Sequence, residues 1–195
     1  MTKDMRILLI SLIILIGLNL TCLGQEKRVT VKSGIGYYMD AFTINDGPII
    51  WLEGGYKLKS GFFINARASS SSVDWTLRAG MFADYKTILL RQMADVTFSK
   101  PVNIKFKHYL EPGLGFKLKR ESQFSPDASI VNSPDGIIIY TDYSEFFYEI
   151  GFTLCLDYYY QFESNFYMGL RADSNVIWAL GFEGLSVTPI FGFRF

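Results

Sequence analysis

The residues of this chain that could do chemistry are few and mostly charged. There is one histidine, His108. A Ser-His hydrolytic pair would have to use it, and any site built on two histidines is excluded. Of the two cysteines, Cys22 lies in the N-terminal segment and Cys155 has no second thiol to meet, so neither a disulfide framework nor a dithiol site is open. No Gly-x-Ser-x-Gly elbow, phosphate loop or metal-ligand spacing occurs. What remains is a set of acids and bases: Glu53, Arg67, Arg91, Asp95, Lys107, Glu111, Lys117, Glu149, Asp157, Arg171 and Asp173. Two carboxylates can serve as acid and base only when both reach one substrate atom. Glu149 and Asp157 lie too far apart along one segment for that, and no other pair is singled out. Acids and bases in near-equal number can instead pair off, as a filled ion-pair network or as the wall of a narrow ion path. No catalytic, cofactor or metal residue is assigned.

Those charges sit on one parity of segments that alternate with period two, the mark of β-strands. From Ser144 to Phe162 the even positions read Phe146, Tyr148, Ile150, Phe152, Leu154, Leu156, Tyr158, Tyr160 and Phe162. The odd positions include Glu149, Gly151, Thr153, Cys155, Asp157 and Gln161. The run beginning at Phe106 repeats the pattern, with Leu110, Leu114, Phe116 and Leu118 against Lys107, Glu111, Lys117 and Lys119. So do Phe166–Asp173 and Leu185–Phe195. Arg28–Met39, Pro48–Leu58, Phe62–Ser70 and Thr87–Ser99 fit with more noise. Together these make eight strands. Short turns fall at Lys59–Gly61, Lys100–Asn103 and Glu163–Asn165. The links between them are longer: Asp40–Gly47, Ser71–Lys86, Glu121–Tyr143 and Ala179–Glu183. Within the second of these, Val73–Lys86 could extend its neighbouring strands.

Aromatic residues make up 16% of the chain and charged residues only 19%, which excludes disorder, and a formal net charge of zero gives no footprint for nucleic acid. The N-terminus carries Lys3 and Arg6, then an apolar run from Ile7 to Leu20, then Cys22-Leu23-Gly24. That pattern reads as a cleavable signal peptide over residues 1–24, leaving 25–195 as one domain. No later stretch could cross a membrane as a helix. Alternation does not say which face is inside, but volume does. The apolar face holds more large side chains than the interior of an eight-stranded barrel can contain. The opposite face carries Gly34, Gly36, Gly55, Gly113, Gly115, Gly151 and Gly169, as a crowded lumen needs. The apolar face therefore points to lipid, and in lipid the first and last strands must pair to close the wall. His108 falls on the outer parity near a turn, at the membrane interface.

A leader, alternating strands, short and long links in turn, and the ending Pro189-Ile190-Phe191-Gly192-Phe193-Arg194-Phe195 resemble the small outer-membrane β-barrel family of Gram-negative bacteria (OmpA/OmpX-like). Tyr109–Gly115 is similar to the glycine-rich strand that often follows a short periplasmic turn in that family. The resemblance implies an all-β, closed eight-stranded antiparallel transmembrane barrel in the cell outer membrane, without a cofactor. It implies contact with outer-membrane lipids, and with the barrel-assembly machinery through the strand ending at Phe195. The expected role is structural or surface recognition rather than enzymatic, with the lumen plugged by the polar set. A narrow gated pore or a lipid-modifying enzyme centred on His108 stand as alternatives. Loop 121–143, with Phe124, Ile130, Val131 and Ile137–Tyr140, is either a surface for an extracellular ligand or a plain extension of its hairpin.

Overall fold

The period-two segments become strands, and most run longer than alternation alone marks. The computed structural model describes residues 28–41, 46–78, 84–124, 129–133, 136–140, 144–163, 165–178 and 181–195. The signal-peptide reading for 1–24 and the loop positions 125–128, 134–135 and 141–143 lie outside the described residues, as do the side chains of Phe124, Ile130, Val131, Ile137–Tyr140 and Phe146. In chain order the strands are β1 (Val29–Asp40), β2 (Asp46–Lys57), β3 (Phe63–Arg78), β4 (Asp84–Ser99), β5 (Val102–Lys105), β6 (His108–Phe124), β7 (Ser129–Ser133), β8 (Gly136–Tyr140), β9 (Ser144–Gln161), β10 (Phe166–Ile177) and β11 (Gly181–Arg194).

Eight of them form one antiparallel wall in the order β4-β3-β2-β1-β11-β10-β9-β6, and β4 pairs with β6 to close it. The first and last strands are joined as hydrocarbon demands of a wall with no free edge. Val29 donates to the Phe195 carbonyl at 3.1 Å, and Phe195 donates back to Val29 at 2.7 Å. The Val73–Lys86 stretch extends both neighbours, since β3 and β4 stay paired out to Arg78 opposite Asp84.

The faces are inverted relative to a soluble protein. Phe116 and Ile150 are 64% and 66% exposed, whereas Lys32 and Arg171 are 1% exposed. Apolar side chains that would form the core of a soluble barrel line its outside, and the interior is charged. Two smaller apolar clusters also face inward: Trp51, Tyr159, Tyr167 and Ile190 in one, and Tyr38, Ile49, Val73, Leu89 and Met93 in the other. Glycine makes room for these rings. A Cβ on Gly34 would lie 2.7 Å from the Trp51 ring, so only glycine lets that indole lie flat against β1.

One turn differs from expectation. Lys100-Pro101-Val102-Asn103 is strand continuation, not a turn. Ser99 opposes Gly113 and Val102 opposes Leu110, a single register, so β5 prolongs β4 past the proline. Pro101 lacks a donor and interrupts the strand without ending it. The chain reverses at Phe106-Lys107, where Phe106 takes φ 52°. Phe106 is therefore a turn residue and not the first outward residue of β6. Lys107 leaves the lumen set with it, reaching Glu163 at 3.1 Å with 42% of its side chain exposed.

Candidate functional site

The candidate site is the column of charged side chains inside the barrel, and strand register builds most of it. Residues directly opposite on neighbouring strands lie within side-chain reach. Arg171 opposes Asp157, Lys32 opposes Glu53, Arg67 opposes Asp95, Arg91 opposes Glu121 and Lys119 opposes Glu149. Each of these is a cation facing a carboxylate, and all five pairs touch.

The innermost cluster centres on Arg171. Its Nε and Nη2 donate to Asp157 at 2.5 and 2.7 Å, and its Nη1 and Nη2 donate to Glu53 at 2.6 and 3.1 Å. The planar guanidinium suits such two-sided bidentate use. Glu111 directly opposes Asp157, a like-charge pair that would be repulsive if left alone. Lys32 reaches from β1 and sets its Nζ 2.9 Å from each of them and 3.3 Å from Glu53. Ser99 donates to Glu111 at 2.6 Å, and Asn65 donates to Ser99 at 2.9 Å.

Above it, Arg67 donates to both oxygens of Asp95 at 3.0 and 3.1 Å and to Asp173 at 2.7 Å. Trp51 packs beside both arginines. The Arg171 guanidinium lies 4.4 Å from the indole centroid and that of Arg67 lies 6.0 Å from it, and Trp51 donates to Thr188 at 3.0 Å. Lys117 is bound by Asn175. At the mouth on the long-loop side, Arg91 donates to Glu121 at 2.7 Å and pairs with Asp40 beneath the Tyr38 ring. Lys119 is shared among Glu121, Glu149 and Glu183. One oxygen each of Glu111, Asp173 and Glu183 finds no protein donor, and Arg91 Nη1 finds no acceptor.

Of the charges assigned to the lumen, all but Lys107 face it, with Glu149 at its half-open mouth. Sequence reasoning missed Lys32, Asp40 and Glu183 and gave Lys119 and Glu121 no role. The parity of Lys32 between outward Val31 and Ser33 would have found it. Asp40 and Glu183 were placed in links, yet both lie within strands. Cys155 is buried among the lumen groups, filling space beside Gly113. His108 is outside. Its Nδ1 lies 2.8 Å from the Tyr158 hydroxyl, and its ring packs on Tyr158 and Tyr160. Among the described residues no group of three or more His, Cys, Asp or Glu is placed to hold a metal ion. Two open grooves of about 780 and 720 Å³ lie on the outer wall, both lined by Leu52 and Ala68.

Cations and carboxylates pair across the bore, and removing one partner from the innermost pairs leaves a buried ion in a poor dielectric.

Neither a sequence-family model nor a curated protein matches the chain. Among solved structures it is similar to a major outer membrane protein from Thermus thermophilus, with TM-score 0.56 and 11% identity over 86% of this chain and 99% of that one. It also aligns with Neisserial surface protein A (NspA), at TM-score 0.49 and 10% identity over 89% and 100% of the two chains. Ail, the attachment invasion locus protein of Yersinia pestis, aligns at TM-score 0.48 and 11% identity over 86% and 97%. At such identities the likeness is one of fold alone, and the Thermus barrel carries it. With its apolar face turned out, its charges turned in and its wall closed strand by strand, the chain has the fold of the small outer-membrane β-barrels.

Proposed function

We propose that the protein is a cell outer-membrane barrel of a Gram-negative bacterium whose lumen is closed and whose working surface stands above the lipid belt. The observation that carries this reading is a contrast between a bore crossed by paired charges and strands much longer than a membrane requires. A membrane-crossing β-strand needs about 9–11 residues, whereas β9 has 18 and β6 has 17, paired out to Phe124 opposite Ser144. Past Leu118 the next outward position of β6 is Arg120, which donates to Gln92 at 3.3 Å. Strand pairing continues from there into water. Between β6 and β9, β7 and β8 form a separate two-stranded sheet. Segment 121–143 thus presents strand edges to which a partner can add.

Residues 1–24 serve as the export signal, the strand ending at Phe195 is read by the barrel-assembly machinery, and outer-membrane lipids cover the apolar belt. The pore alternative requires that the salt bridges across the bore open. The enzyme alternative requires His108, which is engaged with Tyr158 on the lipid side.

The test combines planar-bilayer recording of the native protein with protease treatment of intact cells. The expected result is no steady conductance, with cleavage inside 121–143. Steady conductance overturns the closed lumen in favour of the pore, and a protected loop overturns the surface role. A lipid A or phospholipid profile changed by His108→Ala would turn the reading toward an enzyme.

A further inference from the structure

The two rims of the barrel differ in charge, and the difference points to a partner. At the short-turn rim lie Lys57, Lys59, Lys100, Lys105 and Lys107. Among the described side chains there, Glu163 carries the one carboxylate, and it is taken by Lys107 at 3.1 Å. Lys57, Lys59, Lys100 and Lys105 have no ion pair among the described residues. Two of them rest on rings instead. Lys100 Nζ is 5.0 Å from the Phe62 centroid and Lys105 Nζ is 5.8 Å from that of Phe106. At the opposite rim the sign is reversed or mixed, with Asp40, Glu121, Glu149 and Glu183 around Arg91 and Lys119.

The level of the lysines is fixed by aromatic side chains. On the outer wall a chain of ring contacts runs along this rim from His108 through Tyr160, Phe162, Phe166 and Phe193 to Phe195, with centroids 5.0 to 6.4 Å apart. Such a belt sits at the boundary between acyl chains and headgroups. Lysines at and just beyond it place their ammonium groups at the depth of lipid phosphates, their stems lying along the apolar wall. Val102, Ile104 and Phe106 are all exposed and carry the outward apolar parity of β4 down along β5. Lys105 is thereby set beside acyl surface as well as headgroups.

We infer that this collar binds anionic phospholipid, holding the phosphates of the leaflet on the short-turn side with Lys57, Lys59, Lys100 and Lys105. The inference rests on the reading of the chain as a membrane barrel and adds a lipid preference to it. A cation near an anionic membrane surface contributes roughly fivefold in association, and the attraction weakens with ionic strength.

The test uses the full chain refolded into vesicles of phosphatidylcholine mixed with phosphatidylglycerol. Trace spin-labelled phosphatidylglycerol or phosphatidylcholine reports the share of each lipid held at the protein surface. The expected result is a several-fold preference for phosphatidylglycerol that falls to near parity in high salt and in a variant carrying K57Q, K59Q, K100Q and K105Q. Arg120→Gln, at the other rim, leaves the preference intact. Equal association of the two lipids with the native chain, or a preference untouched by salt, overturns the inference. Should the fourfold variant not fold, the salt series on the native chain decides. Unboiled and boiled samples compared on a denaturing gel separate the two failures. A native chain that shows no shift overturns the barrel reading itself, whereas a shift with no lipid preference overturns the collar alone.

Discussion

Around Arg171, three carboxylates and two cations pack with side chains 1–2% exposed. Around Arg91 and Lys119, four carboxylates share two cations, and Glu121 and Glu149 keep 18% and 26% of their side chains in contact with solvent. Both clusters hold excess negative charge, but the surplus is handled differently. In the inner cluster Lys32 and the two-sided fork of Arg171 bind every carboxylate in the buried bore. At the mouth, water can reach the outer acids, so fewer protein contacts are needed. On the closed-lumen reading proposed above, the inner cluster is the seal of the barrel, and the mouth is a charged vestibule whose members matter less one by one.

The largest effect that could break this comparison is Arg171→Met. It leaves Glu53 with Lys32 as its one remaining ion-pair partner among the described residues, and leaves Asp157 facing Glu111 with the same lysine shared among all three. Removing one partner of a buried ion pair costs about 3–5 kcal/mol. Denaturant unfolding of the vesicle-embedded protein, followed by the heat-dependent gel shift, should show a loss in that range. A loss below about 1 kcal/mol, the scale of an exposed pair, would mean that water already reaches the inner cluster and that the bore is not sealed.

Much of this could be read from the chain before its fold was known, and the reason is specific. Lipid on one side and a crowded lumen on the other impose strict alternation, so Tyr148–Tyr160 and Leu110–Lys119 disclosed both strands and facing. The reading failed where that constraint lapses. Above the lipid belt the outer face turns polar at Gln92 and Arg120, alternation fades, and Asp40 and Glu183 looked like loop residues although they point into the bore. At the other rim Pro101 gave a turn signal inside a continuous register, while the true reversal at Phe106 uses a non-glycine residue with positive φ that no local pattern marks. Cross-bore contacts such as Arg171 to Glu53 and Lys32 to Glu111 depend on barrel diameter and stagger. Neither is a local property of any one strand.

Arg91→Ala sharpens the comparison from the other side. The change removes one of the two cations at the mouth and uncovers Asp40, which is buried, together with half-wet Glu121. The expected loss is about 1–2 kcal/mol, between the exposed and buried limits, with conductance unchanged because the inner cluster still crosses the bore. A rise in single-channel conductance in this variant would relocate the seal from Arg171 to the mouth and favour the gated pore.

The smallest effect belongs to Glu149→Gln. Lys119 retains Glu183 and Glu121 when the Glu149 carboxylate is neutralised, and the lost charge is the most exposed of the four. Removing one acid from a cluster in which carboxylates outnumber cations also relieves repulsion, which opposes the lost attraction. The net change should lie within about 0.5 kcal/mol of zero, the range of ordinary surface substitutions, in the same unfolding measurement. A loss as large as that of Arg171→Met would show that the mouth shares its charge as tightly as the inner cluster does, and the distinction between seal and vestibule would fail.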